Sequence, residues 1–282
     1  MKAMQRIDTH QHFWKYKAEE YAWIGAGMEA LRRDFLPAHL QPLLRTQAIA
    51  GSVAVQARQS LEETRWLLEL ADENPWILGV VGWVELTADG VERELESLRA
   101  HPKLCGVRHV LQDEPDDQYM LRADFMRGLA LLKDFDLAYD LLLYPRHLPV
   151  ACELVERFPE QRFVLDHLAK PLIKAQQIEP WAGELRRLAA HPNVFCKVSG
   201  MVTEADWHNW RMNDFTPYLD VALEAFGQAR LMVGSDWPVC TLAAHYSDVM
   251  AIPMAFFSRL AAEEQEAIWG GNARRFYRLD QA

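Results

Sequence analysis

Near its start the chain reads Asp8-Thr9-His10-Gln11-His12, which sets two imidazoles one residue apart. Side chains two apart on a strand point to one face, so both rings can reach the same spot. A pair of neutral imidazoles suits a divalent ion of the zinc type; it equally suits hydrogen-bond donation to a reacting carbonyl. Much later, Gly234-Ser235-Asp236-Trp237-Pro238 presents a carboxylate after a short apolar run. Such a carboxylate can ligate a metal and take a proton from water, or simply cap the next turn. His167 follows a third run, in Val164-Leu165-Asp166-His167. Taken singly, each piece has an ordinary structural reading. Chemistry requires that the fold bring them together.

The elements that would do so recur along the chain. Charged amphipathic stretches stop near Pro75, Pro102, Pro159 and Pro192, and a short apolar run follows each. Prolines at those places mark where a helix ends and the chain turns back into a strand. Eight runs read as strands: 4–9, 49–55, 77–84, 104–110, 137–143, 162–166, 193–198 and 229–234. Most successive runs are roughly 25 to 35 residues apart, the size of one βα unit. Eight such units, with no G-x-G-x-x-G fingerprint, favour one α/β domain over residues 1–282, a (β/α)8 TIM-type barrel rather than an open doubly wound sheet.

In such a barrel the chemistry sits at the carboxyl ends of the strands. Those ends carry His10 and His12, Gln56 and Arg58, Glu85, Arg108 and His109, Tyr144, His167 and Lys170, Lys197 and Ser199, and Asp236. The first and eighth strands of a closed barrel are neighbours. His10, His12 and Asp236 therefore converge, with His167 facing them from the wall of the same mouth.

With these residues in view, the chain resembles the amidohydrolase superfamily, in its branch of L-fuconolactonase, L-rhamnonolactonase and pyrone-dicarboxylate lactonase type. The matching segments are IDTHQHFW, GWVEL, GVRH, VLDHLAKP, CKVSGM and GSDWP, in that order between residues 7 and 238. The resemblance implies a barrel that hydrolyses the cyclic ester of a sugar acid, such as an L-fucono-lactone. It places catalytic and metal-binding roles on His10, His12, His167 and Asp236, with one divalent ion, zinc by type, that an ester of modest stability can do without. Binuclear relatives carry a bridging lysine on strand four. Here that end reads Val107-Arg108-His109, so the centre is mononuclear if it holds metal at all. Strand five offers Asp140 and Tyr144 where many members have a histidine.

The expected reaction has Asp236 taking a proton from water as it attacks the lactone carbonyl, then returning it to the ring oxygen. His10, His12 and His167 stabilise the developing oxyanion. Arg58, Arg108, His109, Lys170 and Lys197 are the expected cationic contacts to carbonyl, hydroxyls or product carboxylate, His109 and Lys197 foremost, although each alone also reads as a structural ion pair. Glu85 reads as a ligand, a holder of a substrate hydroxyl, or a carboxylate at a helix start. Trp14 and Tyr144 are expected to line the pocket. Residues 13–44 are long for a loop and hold Phe13, Trp14, Tyr16, Tyr21 and Trp23, while Trp207, His208 and Trp210 follow strand seven. Those aromatics either wall a sugar site or cover the barrel ends. The stretch EEQEAIWGGNARRFYRL reads as a last, structural helix broken at Gly270-Gly271.

Composition narrows the classes further. Half of the 282 residues are hydrophobic and a quarter charged, which excludes a disordered chain. Thirty basic against forty acidic residues give a formal charge of −10, without the basic footprint of a nucleic-acid binder. No apolar run reaches the roughly 20 residues of a membrane helix, and the start has no apolar leader region. Cys105, Cys152, Cys196 and Cys240 form no C-x-x-C pair, as expected of reduced thiols in a cytoplasmic protein. The expected partner is a small sugar lactone, with no nucleic acid and no membrane; an oligomer is open. Two rivals stand beside the lactonase: a mononuclear decarboxylase or deaminase using the same ligands, and a non-catalytic barrel that binds a sugar acid.

Overall fold

Helices form where the apolar positions fall on one stripe and stop where proline forbids another turn. In α2 (Leu61–Glu73) the buried residues Thr64, Leu67, Leu68 and Ala71 share a face, and Ser60 Oγ caps the start by accepting from Glu63 N at 3.3 Å. The helix ends just before Pro75. In α3 (Val91–Arg99), Val91, Leu95 and Leu98 do the same ahead of Pro102. The computed structural model describes residues 5–280, so Met4 in the first expected strand and the two ends of the expected domain lie outside the described residues.

Eight strands follow the order of the chain: β1 (Arg6–Gln11), β2 (Ile49–Val55), β3 (Ile77–Gly82), β4 (Leu104–His109), β5 (Ala138–Leu141), β6 (Phe163–Leu165), β7 (Val194–Val198) and β8 (Leu231–Val233). Each pairs in parallel with the next. A parallel bridge between Gln11 and Trp237 draws the last strand back to the first. It is made by Asp236 N donating to His10 O at 2.8 Å and His12 N donating to Trp237 O at 2.7 Å. The result is a (β/α)8 barrel. Its outer helices include α1 (Pro37–Thr46), α2, α3, α4 (Ala123–Leu131), α5 (Leu148–Arg157), α6 (Trp181–Ala189), α7 (Met212–Phe226) and α8 (Tyr246–Phe257). Among the described residues no helix is long and apolar enough to cross a membrane. The four cysteines are buried and unpaired.

The register of β1 on β2 is irregular at the point that matters. Ile7 pairs with Gly51 and Asp8 with Ser52, but Gln11 pairs with Ala54, so three steps on β1 span two on β2. The extra residue is a bulge at Thr9–His10. Ile7 packs with Val53 and Val55 in the barrel, while Asp8 turns outward to the Tyr246 hydroxyl of α8 at 3.0 Å. After the bulge Gln11 again faces outward to Ser52 Oγ, and His10 and His12 return to the interior. Without it, strict alternation from Ile7 would put both imidazoles on the wrong face.

The amino-terminal end of the barrel is plugged. α9 (Ala262–Glu266) continues through a π turn, Ala267–Gly271, into α10 (Asn272–Tyr277), so the diglycine widens the helical run where a break was expected. Ala273, Phe276 and Tyr277 pack beneath Val53, Val81, Ala138 and Val164. Tyr277 reaches further: its hydroxyl lies 2.7 Å from Asp140 Oδ2, so this segment, expected to be structural only, also contacts the charged layer under the site.

Candidate active site

The imidazoles at the mouth have their Nδ1 atoms against fixed partners, and His12 shows the pattern most plainly. His12 Nδ1 donates to Val55 O at 2.8 Å, which leaves a lone pair on Nε2. His167 Nδ1 lies 2.8 Å from Ser199 Oγ, and His10 Nδ1 lies 3.3 Å from Asp166 Oδ1. His167 is pressed against Gly200, where a Cβ would fall 2.5 Å from its Nδ1 and where φ is +62°; only glycine satisfies both demands.

The free nitrogens meet one carboxylate. His10 Nε2 and His12 Nε2 are 3.2 Å apart. Asp236 Oδ1 is 3.3 Å from His12 Nε2, 3.8 Å from His167 Nε2 and 3.9 Å from His10 Nε2. Around a tetrahedral zinc with bonds of about 2.0–2.1 Å, neighbouring ligand atoms stand roughly 3.3–3.4 Å apart. His10, His12 and Asp236 offer ligand atoms that all lie within 4.8 Å of one another and fit a single zinc-type ion, while His167, which meets Asp236 at 3.8 Å, belongs with His10 and Asp166 to a second such set. Burial lowers the His167 pKa to about 4 and carries that of His10 well below the usual imidazole value, so both are neutral, as a ligand must be. For Asp236 burial acts upward, but the neighbouring imidazoles outweigh it and keep the carboxyl below the usual carboxylate range.

Beneath this cluster four consecutive strands contribute two cations that flank two carboxylates. Arg108 comes from β4, Asp140 from β5, Asp166 from the end of β6 and Lys197 from β7. Lys197 Nζ lies 2.6 Å from Asp140 Oδ2, 3.0 Å from Asp166 Oδ1 and 3.2 Å from His10 Nδ1, and its side chain is fully buried. Arg108 Nη1 donates to Asp166 Oδ2 at 3.1 Å and lies 3.3 Å from His10 Nε2; Nη2 donates to the Gln56 carbonyl and to Gln56 Oε1. Burial pushes the Lys197 pKa downward, but the two carboxylates more than reverse this and keep it an ammonium. No histidine stands on β5; Asp140 and the Lys197 ammonium occupy that part of the interior. His147, in the loop beyond, is turned away to Asp117 at 2.8 Å.

A cavity of ≈ 380 Å³ opens above the cluster. His12, Arg108, His167 and Asp236 form its floor, and Trp23, Arg58, Lys170, Leu142 and Val239 stand among its walls. His10 lies below the floor, fully buried. Several residues expected to contact substrate are not in the lining. His109 faces the other way, to Glu114 Oε1 at 2.7 Å, stacked on Tyr119. Lys197 is sealed beneath His10. Trp14 is fully buried, its Nε1 donating to Arg33 O at 2.9 Å, so it anchors the loop between β1 and α1 rather than walling the site. Glu85 accepts from the Thr87 hydroxyl at 2.7 Å and shapes its own turn. Tyr144 sits behind Lys170, with the ammonium 5.4 Å from its ring centre. Of the loop aromatics, Trp23 reaches the cavity, and it is 36% exposed. Asp166 is the member that sequence reasoning passed over. Its signal was available: a carboxylate directly before the strand-end histidine.

A parallel barrel with an H-x-H pair on its first strand, a histidine after the sixth and an aspartate after the eighth gathers at its strand ends groups that could hold a metal ion, an arrangement suited to a hydrolase. The chain belongs to the amidohydrolase family, whose model matches residues 7–279. It is 47% identical to an L-fucono-1,5-lactonase of Burkholderia multivorans, over 98% of this chain and 97% of that protein. An L-fucono-1,5-lactonase of Burkholderia ambifaria is 38% identical, over 98% of this chain and 96% of its own length. A crystal structure of an amidohydrolase from Burkholderia multivorans with bound zinc superimposes with a TM-score of 0.93 at 46% identity, covering 97% of this chain and 99% of that one.

Proposed function

We propose that this barrel hydrolyses the lactone of a sugar acid, with an L-fucono-1,5-lactone-like ring as its first candidate. The observation that carries the reading is the meeting of Asp236 with His12 and His167 on the floor of a cavity large enough for one sugar ring, in a chain so similar to two L-fuconolactonases. Asp236 Oδ1 faces the imidazoles, while Oδ2 has no hydrogen-bond partner among the described residues. Oδ2 therefore accepts a proton from the attacking water. The carboxylate then delivers that proton to the ring oxygen as the C–O bond breaks, leaving an open-chain hydroxy acid. General base work of this kind is typically worth about 10² to 10⁴ in rate.

His10, His12 and Asp236 would hold a zinc-type ion, with His167 beside Asp236. Such an ion supplies a Lewis acid that polarises the carbonyl and acidifies water. The protein's own part is to keep His10 and His167 neutral, fix the His12 tautomer through Val55 O, hold the other two rings against Ser199, Asp166 and Lys197, and hold Asp236 ionised. Trp23 offers its ring as a flat wall for the apolar face of the sugar.

The test is proton release from a panel of sugar lactones, before and after chelation and zinc restoration. Fast release from L-fucono-type rings is the expected result. No release from any lactone by folded, zinc-supplied protein would end the reading and favour a decarboxylase or deaminase.

A further inference from the structure

Three cations line the cavity, Arg58, Arg108 and Lys170, and their partners distinguish them. Both terminal nitrogens of Arg108 are committed, to Asp166 and to Gln56. Arg58 Nη1 lies 2.6 Å from Glu20 Oε2 and Nη2 lies 3.5 Å from Glu62 Oε2, so its charge is met from the rim. Lys170 Nζ, among the described residues, makes neither a hydrogen bond nor a carboxylate contact within salt-bridge reach. Glu204 feels its charge, but only at longer range. The ammonium rests instead over the Tyr144 ring, 5.4 Å from its centre, which leaves three N–H donors for something in the cavity.

The backbone that carries Lys170 is unusual. His167, Leu168, Ala169 and Lys170 have φ values of 54°, 53°, 58° and 52°, four consecutive non-glycine residues in the left-handed region. L-residues avoid that region because Cβ crowds the carbonyl oxygen, and runs of it are exceptional. The turn is held from several sides. Lys170 N donates to His167 O at 2.7 Å, Trp181 Nε1 donates to Leu168 O at 2.7 Å, and the Leu168 and Ala169 side chains are fully buried. Its effect is to bring two residues three positions apart, His167 and Lys170, to the same cavity. Strain of this kind persists where the position it secures is used.

We propose that Lys170 is a catalytic residue that binds the exocyclic oxygen of the lactone carbonyl, and afterwards the carboxylate of the opened acid. The proposal rests on the lactonase reading. Water forms the new C–O bond at the carbonyl carbon, its proton passes to Asp236, and the ring C–O bond breaks with that proton returned to the ring oxygen. Lys170 transfers no proton; it meets the negative charge that grows on the carbonyl oxygen. That charge passes to the ring oxygen as its bond breaks and is quenched by the returned proton. Lys170 meets charge again when the new carboxylic acid loses its remaining proton to solvent. A neutral ring gains little from an ammonium in the ground state, so the contribution falls on the transition state and the product.

The experiment compares wild type with K170M and K170R in two assays: lactone turnover, and calorimetric binding of the open-chain sugar acid. Removing one such donor typically costs about 10² to 10³ in kcat. K170M should therefore lose about a hundredfold in kcat/KM, bind the acid at least tenfold more weakly and unfold at an unchanged temperature, with K170R recovering part of both losses. A K170M enzyme that keeps turnover and acid binding within threefold of wild type overturns the proposal and leaves the lactonase reading intact. If wild type opens no lactone yet binds sugar acids through Lys170, the lactonase reading fails while the anion contact stands. If K170M does not fold, K170R decides: a charge-retaining variant with full acid binding supports the contact, and one with none, despite normal folding, removes it.

Discussion

Asp166 Oδ1 lies 3.3 Å from His10 Nδ1, and the same oxygen is 3.0 Å from Lys197 Nζ. One carboxylate thus orients an imidazole at the mouth and closes an ion pair sealed beneath it. The mouth of the barrel and the charged layer under it are mechanically one unit, and separate substitutions should expose its two duties.

D166N keeps an acceptor near His10 but removes the charge that favours a proton on Nδ1 and a lone pair on Nε2. Loss of an orienting partner of this kind typically costs about 10- to 100-fold in metal affinity. A chelator-competition titration with zinc should show a fall of that order. Unchanged affinity would mean that Asp166 serves only the ion pair below.

K197M would leave Asp140 and Asp166 without their shared cation in a dry interior. Breaking a buried pair from one side typically costs about 3–5 kcal/mol. Denaturant unfolding should show a loss of that size, and K197M combined with D140N should recover part of it. A K197M protein within about 1 kcal/mol of wild type would show that water reaches this layer.

D236N should lower kcat by about 10² to 10⁴ while the unfolding midpoint moves little. Near-normal turnover would take the general-base role away from Asp236.

Glu63, at the start of α2, accepts from Ala57 N at 2.8 Å, Arg58 N at 2.9 Å and the Tyr21 hydroxyl at 3.0 Å. It ties the β1–α1 loop to the end of β2. Burial raises its pKa from 4.5 to about 7, against the pull of those hydrogen bonds. The folded state therefore binds the Glu63 proton more tightly than the unfolded chain does. This contribution is complete below about pH 4.5 and is lost as pH rises through about 7, worth about 3 kcal/mol in all. In E63Q the amide keeps an acceptor for the two backbone N–H groups, and the Tyr21 hydroxyl can turn to accept. The stability of E63Q minus that of wild type should rise between pH 4.5 and 7; a flat difference would place the Glu63 pKa at its ordinary value.

Much of this molecule is readable from letters because its signals are local. Eight apolar runs, each of a length that suits a strand, and prolines that stop the preceding helices are properties of short segments, and all eight runs are strands in the fold. His10, His12, His167 and Asp236 were legible because each stands within three residues of the end of such a run and the barrel's order makes the first and eighth strands neighbours. Direction was not legible. His109 and Arg108 are adjacent at one strand end, yet one faces the helices and the other the interior, since alternate residues on a strand must diverge. The bulge at Thr9–His10, which restores both imidazoles to the inside, depends on how β1 meets β2, and no property of β1 alone reveals it. Lys197 and Asp140, 57 positions apart, became an ion pair only when the strands closed around them. Sequence determined the units, their order and the types of group carried to the mouth. Tertiary structure decided which groups face the cavity and which neutralise one another below it, because burial and charge pairing are set by neighbours distant in the chain.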